Sequence, residues 1–437
     1  MSSSKQIARE IFRQTLASID IPAVIERKVR FDNSRLILPC GILDLCGISR
    51  TVLIAIGKAA HAMASGFAGI LPGTAPVEGV VAAPTKPSTP LRGLKYFQTG
   101  HPIPNDGSLR AAETILQVLR TCDENTLVVF LLSGGGSALV ELPLDRSLKL
   151  QDVQALYHAL VTCGAPIDVM NTVRRHLSAV KGGRLALAAG AARKLTLAVS
   201  DVPVGKAAAL ASGPSVPDPT TIADVEHVLT QYGLRERFPA SVREWLVAGY
   251  MPETPKPGHL AFANAHFELL LGLDDLFHAA HHAVEAHGYA SFCDNSTDDW
   301  PVEQAADNLL AQLERWQSEN AGERVAVIAD GEVSSPVTGN GTGGRNSAFV
   351  LACVGKIAGR KITVLSAGTD GADGNSPAAG AVADGNTWAR AESAGLDTGE
   401  AFRNCDAYSF FSKLEDAIVT GPTGNNLRDL RILLAEP

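Results

Sequence analysis

The sequence predicts an α/β protein, in which short buried strands alternate with helices. Residues 51–56, 127–132 and 324–329 are apolar apart from Thr51 and Arg324, which is typical of strands buried on both faces of a parallel sheet. A glycine follows each run within two residues, and the chain contains 41 glycines. Its 437 residues are too many for one hydrophobic core of ordinary size, so we expect two domains.

The other elements continue this alternation. A rough apolar stripe predicts a helix over residues 5–27. Asn105 or Asp106 is suited to cap a helix that runs through Leu119. The remaining expected elements are strands at 79–83, 195–199 and 361–365, and helices at 168–181, 264–287 and 347–357.

A polar stretch with several prolines, residues 236–258, predicts the boundary between the domains. We therefore expect an N-terminal domain at 1–245 and a C-terminal domain at 258–437. Alternation of strands and helices implies parallel sheets, whose loops at the carboxyl ends of the strands carry the chemistry.

Composition narrows the class of protein. A net charge of -8 without a long basic tract argues against nucleic acid as a partner. The seven cysteines form no C-x-x-C pair, which suits a reducing compartment. The sequence shows neither an apolar signal core nor a run long enough to cross a bilayer, so we expect a cytoplasmic protein without a membrane partner. A homodimer is left open.

The clearest candidate for ligand binding is the turn Ser133, Gly134, Gly135, Gly136 and Ser137. It follows the strand at 127–132 and precedes apolar residues that suit a helix. Glycines allow a sharp turn and a close approach of the backbone, and the N–H groups of such a turn can hold phosphate or carboxylate. A tight turn without a ligand is the alternative.

Charged residues follow other strands. Lys58 comes after the first strand and Asp201 after the strand at 195–199, while Asp370 and Asp373 lie in a loop after the strand at 361–365. Phosphoryl transfer uses cations and N–H groups to spread negative charge, and carboxylates to hold Mg²⁺ or accept a proton. Singly, Lys58 could lie on the surface, and the aspartates could form turns.

Two further features could bind an anion. Arg345 follows a glycine-rich loop, 338–344, at the start of an expected helix, where its guanidinium could pair with phosphate or carboxylate oxygens. In the expected helix 168–181, Arg174 and Lys181 share one face with Asn171 and Ser178. That face either is solvated or lines a cleft.

These motifs together resemble the glycerate 2-kinases that join a Rossmann-like N-terminal domain to a C-terminal MOFRL domain. The resemblance spans nearly the whole chain, and its motifs occur in family order. The motifs span residues 57–60, 99–104, 132–139, 171–185, 200–203, 211–220, 343–346, 369–374 and 420–424. The chain departs from the family pattern at Ser347, Ala348 and Pro377.

The resemblance implies phosphorylation of D-glycerate at its 2-hydroxyl, with ATP and Mg²⁺, in a cleft between the domains. Lys58 and Arg345 stand where the family has a functionally important Lys and Arg. On this basis Lys58 would contact the phosphoryl group or the substrate, and Arg345 would neutralise charge in the transition state. Asp201 would be the base or a metal ligand, and Asp370 and Asp373 would bind the metal.

Two other functions stay open. Some relatives have been labelled hydroxypyruvate reductase, which would use NAD(P)H, but no Gly-x-Gly-x-x-Gly fingerprint follows the first strand. The other hypothesis is a non-enzymatic sensor that binds sugar acids or nucleotides.

Overall fold

The computed structural model describes residues 3–72, 77–200, 207–249, 251–425 and 427–437. The chain forms two compact units. The N-terminal unit is Ile21–Gly272, and the C-terminal unit is Leu273–Pro437 together with Met1–Asp20. The units therefore divide at other positions than the predicted limits 1–245 and 258–437.

The strands are β1 Arg30–Asp32, β2 Arg35–Leu38, β3 Gly41–Asp44, β4 Arg50–Ile56, β5 Val77–Ala83, β6 Leu94–Gln98, β7 Thr126–Leu132, β8 Arg193–Val199, β9 Ala265–Leu271, β10 Ala290–Asp294, β11 Val325–Asp330, β12 Ile362–Gly368, β13 Gly380–Asp384, β14 Ala417–Ile418 and β15 Asp429–Ala435. The α-helices are α1 Ser4–Ser18, α2 Ile21–Lys28, α3 Ala60–Ile70, α4 Asp106–Leu119, α5 Gly136–Leu139, α6 Leu150–Val161, α7 Ile167–Leu177, α8 Arg184–Ala188, α9 Ile222–Gln231, α10 Leu234–Arg237, α11 Ala240–Val247, α12 Leu273–Ala286, α13 Val302–Glu319, α14 Arg345–Val354, α15 Thr387–Ser393, α16 Thr398–Arg403 and α17 Ala407–Lys413. Short 3₁₀ turns lie at Ala207–Ser212 and Leu260–Phe262.

The N-terminal unit is built on a six-stranded sheet in the order β6-β5-β4-β7-β8-β9. All strand pairs of this sheet are parallel, which confirms the α/β prediction for this half, and β1, β2 and β3 form a separate small antiparallel sheet. β4 and β7 are central and buried along almost their whole length, because apolar side chains project from both faces of the sheet. Ile56 and Leu132 are paired at their carboxyl ends, so the two following turns are neighbours.

The sheet of the C-terminal unit differs from the prediction of a parallel sheet. Its order is β10-β11-β15-β12-β13-β14, and only β10 and β11 run parallel. The last strand, β15, lies between β11 and β12 and is antiparallel to both. The alternation rule failed here because β12 and β13 form an antiparallel pair with no helix between them, and the end of the chain inserts at the centre.

Several predicted helices have different limits. The helix expected over 5–27 is two helices, α1 and α2, and α1 belongs to the C-terminal unit. Lys5 fixes it there, since its ammonium lies 2.7 Å from a buried carboxylate oxygen of Asp416. The expected helix 264–287 is the strand β9 followed by α12.

Helix α4 and its Asn105 cap are confirmed, since the Asn105 side chain accepts the N–H of Ser108 at 3.0 Å. The expected helix 168–181 ends at Leu177, and 347–357 is α14. Among the described residues, no helix is long and apolar enough to cross a membrane.

Candidate active site

The turns that follow β4 and β7 are fastened to each other. The N–H of Ala59 donates to Ser133 Oγ at 3.0 Å, and the N–H of Lys58 donates to the carbonyl of Gly134 at 3.0 Å. Gly57 has a φ of 137°, and a Cβ there would lie 2.0 Å from Ser133 Oγ. Glycine is therefore required for this close approach, and it sets Lys58 directly against the Ser133–Ser137 turn.

The turn keeps a row of N–H groups available. Within the described part of the chain, the N–H groups of Gly134, Gly135, Gly136 and Ser137 donate to no acceptor. Gly135 takes a φ of 83° before the short helix α5. Four neighbouring N–H donors at the carboxyl end of a central strand suit an oxyanion.

His101 lies over this turn, although the sequence analysis did not single it out as a site residue. A Cβ on Gly135 would come 3.0 Å from the His101 ring. Partial burial lowers the pKa of His101, and the nearby charge of Lys58 lowers it further. The ring is therefore neutral at neutral pH and can donate or accept a hydrogen bond. The sequence could have indicated His101 as a site residue, because it lies in the family motif at 99–104.

Ser137 begins a hydrogen-bonded chain of polar side chains. Its Oγ lies 2.7 Å from Ser212 Oγ, and the Ser212 hydroxyl donates to Asn171 Oδ1 at 3.1 Å. Ala211 and Ser212 have φ values of 50° and 59°, a conformation that is strained for residues other than glycine. A Cβ on Gly136 would lie 2.6 Å from the Ala211 Cβ, so this segment packs directly against the turn.

The cations predicted to line an anion cleft, Arg174 and Lys181, are buried. Lys181 Nζ donates to Glu141 Oε2 at 2.6 Å and to the carbonyl of Val140 at 3.0 Å. The Tyr157 hydroxyl donates to the same carboxylate at 2.5 Å and lies 2.7 Å from the carbonyl of Ser137. Lys181 is only 1% exposed, so its charge is committed to Glu141.

Arg174 is buried beside the same Tyr157 side chain as Lys181. Its guanidinium lies 4.9 Å from the centre of the Tyr157 ring, and Nη1 donates to Asn171 Oδ1 at 3.3 Å. The cavity lined by Arg174, Glu141 and Tyr157 has room for about one water molecule and none for a substrate. The face with Arg174 and Lys181 is therefore neither solvated nor open to a ligand. It supports the Ser133–Ser137 turn from inside the unit.

In the C-terminal unit, Arg345 is the first residue of α14 and is held by two carboxylates. Its Nη1 and Nη2 each lie 2.7 Å from an oxygen of Glu332, and Nε lies 2.5 Å from Asp429 Oδ2. Burial lowers the pKa of Arg345, but the bond to Asp429 and the charges of both acids outweigh it and raise the pKa overall. The guanidinium stays charged and is held in one orientation.

Asp373, predicted to bind a metal, instead caps α14. Its two carboxylate oxygens accept the N–H groups of Asn346 and Ser347 at 2.9 Å, and the Ser347 hydroxyl donates at 2.6 Å. A Cβ on Gly344 would lie 2.3 Å from Asp373 Oδ1. Asp373 thus occupies the place that an anion would take at this helix N-terminus. Ser347, a departure from the family pattern, contributes to the cap.

The other predicted metal residue, Asp370, accepts the N–H of Ala372 at 3.0 Å within its own loop. Among the residues that the structure describes, no group of three His, Cys, Asp or Glu side chains could hold a metal ion. Asp201, predicted as base or metal ligand, lies outside the described residues.

Asp330 is a buried acid that was not among the predicted site residues. It ends β11, and its Oδ1 has no hydrogen-bond partner among the residues that the structure describes. Burial raises the pKa of Asp330 to about 6, although Arg428 and Arg431 oppose the rise. A carboxyl group that titrates in this range is common in functional sites and in internal charge networks alike.

Glycine turns and charged residues after buried strands define the class of protein: an α/β protein whose loops carry groups suited to bind an oxyanion. The profile of the family described as "Domain of unknown function (DUF4147)" matches residues 7–247. The profile of the MOFRL family matches residues 325–429.

The chain is 34% identical to the D-glycerate 2-kinase of Thermotoga maritima over 394 residues, which cover 89% of this chain and 92% of that protein. It is 33% identical to a putative hydroxypyruvate reductase of Agrobacterium vitis, over 99% of this chain and 94% of that one. The crystal structure of glycerate kinase from Thermotoga maritima superimposes with a TM-score of 0.83 at 32% identity, covering 99% of each chain. The chain belongs to the glycerate 2-kinase family with a C-terminal MOFRL domain.

Proposed function

We propose that this protein transfers the γ-phosphoryl group of ATP to the 2-hydroxyl of D-glycerate, giving 2-phosphoglycerate and ADP. Family membership supports the reaction, since relatives along most of the chain are named glycerate kinases. The main structural support is the Ser133–Ser137 turn beside Lys58, where four N–H groups have no acceptor among the described residues. That arrangement suits an anionic substrate group.

In this reaction the hydroxyl oxygen of glycerate forms a bond to the γ-phosphorus, and the bond from that phosphorus to ADP breaks. The hydroxyl proton passes to a base. The negative charge on the phosphoryl oxygens must be stabilised throughout, mainly by fixed donors and cations. We assign the N–H groups of the turn to an oxyanion, and Lys58 to the transferred phosphoryl group or the substrate.

Arg345 is proposed as the cation that neutralises charge in the transition state. Asp429 holds its guanidinium through Nε, so the orientation of the side chain is already fixed when a phosphoryl oxygen approaches. We keep Asp201 as the proposed base because it follows β8 directly in sequence, two residues after Val199.

Magnesium is proposed to enter as the Mg-ATP complex. Asp373 does not fit the predicted role of metal ligand, since both its oxygens are bonded to the first turn of α14. Mg²⁺ commonly keeps waters and binds the phosphates of its nucleotide. We therefore derive no step from a metal site on the protein.

The test is a pair of assays on the purified chain. One contains D-glycerate and Mg-ATP and follows ADP, with phosphorus NMR to identify the product. The other contains hydroxypyruvate and NADH. We expect ADP formation that depends on glycerate and a product phosphorylated at the 2-position. Oxidation of NADH without ADP formation would support the reductase instead, and inactivity in both assays would favour a sensor.

The Lys58 assignment has a matched control. Lys58→Met should lower kcat by roughly a hundredfold or more, as loss of a charge-stabilising group does. Lys86→Met removes another exposed lysine of the same unit and should leave kcat unchanged. Equal activity of the two variants would remove Lys58 from the mechanism.

A further inference from the structure

The two carboxylates that hold Arg345 differ in exposure. Asp429 is the first residue of β15, and its side chain is 5% exposed. Glu332 follows β11, and its side chain is 46% exposed. They bind opposite parts of one guanidinium: Asp429 takes Nε, and Glu332 takes both Nη atoms.

The Nη edge is the part of a guanidinium that binds carboxylate or phosphate through two parallel bonds. Glu332 occupies that edge with the same geometry that an incoming oxyanion would adopt. Within the described residues, its carboxylate has no bonded partner other than Arg345.

The backbone of Glu332 is fixed although its side chain is half-exposed. Its N–H donates to Asp298 Oδ1 at 2.8 Å, and Arg428 Nη1 holds the other oxygen of Asp298 at 2.8 Å. The side chain can therefore rotate away without any change in the strand end. Water can solvate a half-exposed carboxylate that leaves its partner, whereas a buried charge that loses its partner is strongly destabilised.

We propose that Glu332 is a placeholder carboxylate, which an oxyanion of the substrates displaces from the Nη edge of Arg345 while Asp429 retains Nε. The inference rests on the proposed function for the identity of the oxyanion, a phosphoryl oxygen of ATP or the carboxylate of glycerate. Glu332 and Asp429 are both positioning residues, with opposite effects. Glu332 competes with the ligand, and Asp429 aims the guanidinium at it.

Substitution of Glu332 and of Asp429 should have opposite effects on ligand binding, which a merely structural role of the two residues would not produce. Glu332→Gln keeps the size of the side chain and removes its charge, so oxyanion binding should tighten by roughly two- to fivefold, the strength of an exposed ion pair. Asp429→Asn should not tighten binding, and kcat should fall by roughly tenfold or more because Arg345 loses its fixed orientation.

The measurement is calorimetric titration of the full chain with Mg-ATP and, separately, with D-glycerate. Tightening for Mg-ATP alone identifies the phosphoryl group as the displacing ligand, and tightening for glycerate alone identifies its carboxylate. The control is Glu314→Gln, because Glu314 is 50% exposed and pairs with Arg360 at 2.6 Å in the same unit. This variant should bind as the wild type does.

The double variant Glu332→Gln/Arg345→Ala ties the effect to Arg345, since it should lose the gain in affinity. The proposal is overturned if Glu332→Gln binds both ligands no more tightly than the wild type, if neither ligand binds, or if the gain persists without Arg345. These outcomes are separate from the proposed function. If the wild type binds Mg-ATP but forms no ADP with glycerate, the proposed reaction is rejected. The titrations with Mg-ATP still show whether the ligand displaces Glu332 from Arg345.

Discussion

The two units hold similar charged groups in different ways. In the N-terminal unit, Lys181, Glu141 and Tyr157 form a closed, buried network beneath the Ser133–Ser137 turn. In the C-terminal unit, Arg345 is a third exposed and shares its charge with the half-exposed Glu332. Buried charges are expensive to leave unpaired, whereas exposed pairs exchange partners readily. The first arrangement therefore suits support of a site, and the second suits contact with a ligand.

The strongest test of this contrast removes the buried cation. Lys181→Met leaves the carboxylate of Glu141 buried without its ammonium partner, so the free energy of unfolding should fall by about 3–5 kcal/mol. Denaturation by urea measures it. In the double variant Lys181→Met/Glu141→Leu the loss should be clearly smaller, because no charge is left uncompensated. A single variant as stable as the wild type would contradict the role of this network.

Removal of the exposed cation should affect catalysis instead. Arg345→Ala should lower kcat by roughly 10²–10³, the usual cost of losing one group that stabilises a transition state. The far-ultraviolet circular dichroism should remain that of the wild type, since the side chain lies at the surface end of α14. Arg345→Lys should recover little, because an ammonium cannot make the paired bonds. Unchanged turnover would exclude Arg345 from the mechanism.

The pH dependence of stability sharpens the comparison within the C-terminal unit. Burial raises the pKa of Asp330 to about 6 in the folded protein, above the value near 4 expected in the unfolded chain. Between these values the folded state binds the proton more tightly, so the contribution of Asp330 to stability falls as pH rises from about 4 to about 6. The charges of Asp298, Arg428 and Arg431 act on this carboxyl group.

Asp330→Asn removes this titration and leaves those neighbours in place. The free energy of unfolding of the variant minus that of the wild type should therefore increase by about 1–3 kcal/mol between pH 4 and pH 6. Urea denaturation at several pH values measures it. A constant difference would show that folding does not raise the pKa of Asp330.

The smallest expected effect comes from one hydroxyl group. Tyr157→Phe removes the donor to Glu141 and the contact with the Ser137 carbonyl, while the ring under Arg174 remains. Stability should decrease by about 1–2 kcal/mol. If the network positions the turn, KM should also rise for the substrate that the turn binds. Thr162→Val, which removes an exposed hydroxyl bonded to the His158 carbonyl on α6, is the control and should leave KM unchanged.

Much of the N-terminal unit could be predicted from residue order. Apolar runs that end in glycine turns gave β4, β7 and β8, and a parallel sheet brings the turns after neighbouring strands together. The same reasoning failed for β15, because no local pattern reveals that the end of a chain will insert between two earlier strands. It also failed for α1, which buries its apolar face in the C-terminal unit and pairs Lys5 with the distant Asp416.

The proposed site residues divide in the same way. The positions of Lys58 and the Ser133–Ser137 turn after buried strands were predictable because a few consecutive residues set their geometry. The roles of Lys181 and Asp373 were not, since each depends on what another segment places opposite it: Glu141 in one case and the first turn of α14 in the other.

The amino-acid sequence alone thus determined the α/β class, the family and the turns that follow the buried strands, because these depend on short-range conformational preferences and on apolar periodicity. Only the packing of distant segments decided which charges are neutralised internally and which stay exposed to a ligand. The physical reason is that segments far away in the chain determine how deeply a charge is buried and which partner it has. Burial and partner in turn determine the free energy needed to separate the charge from that partner.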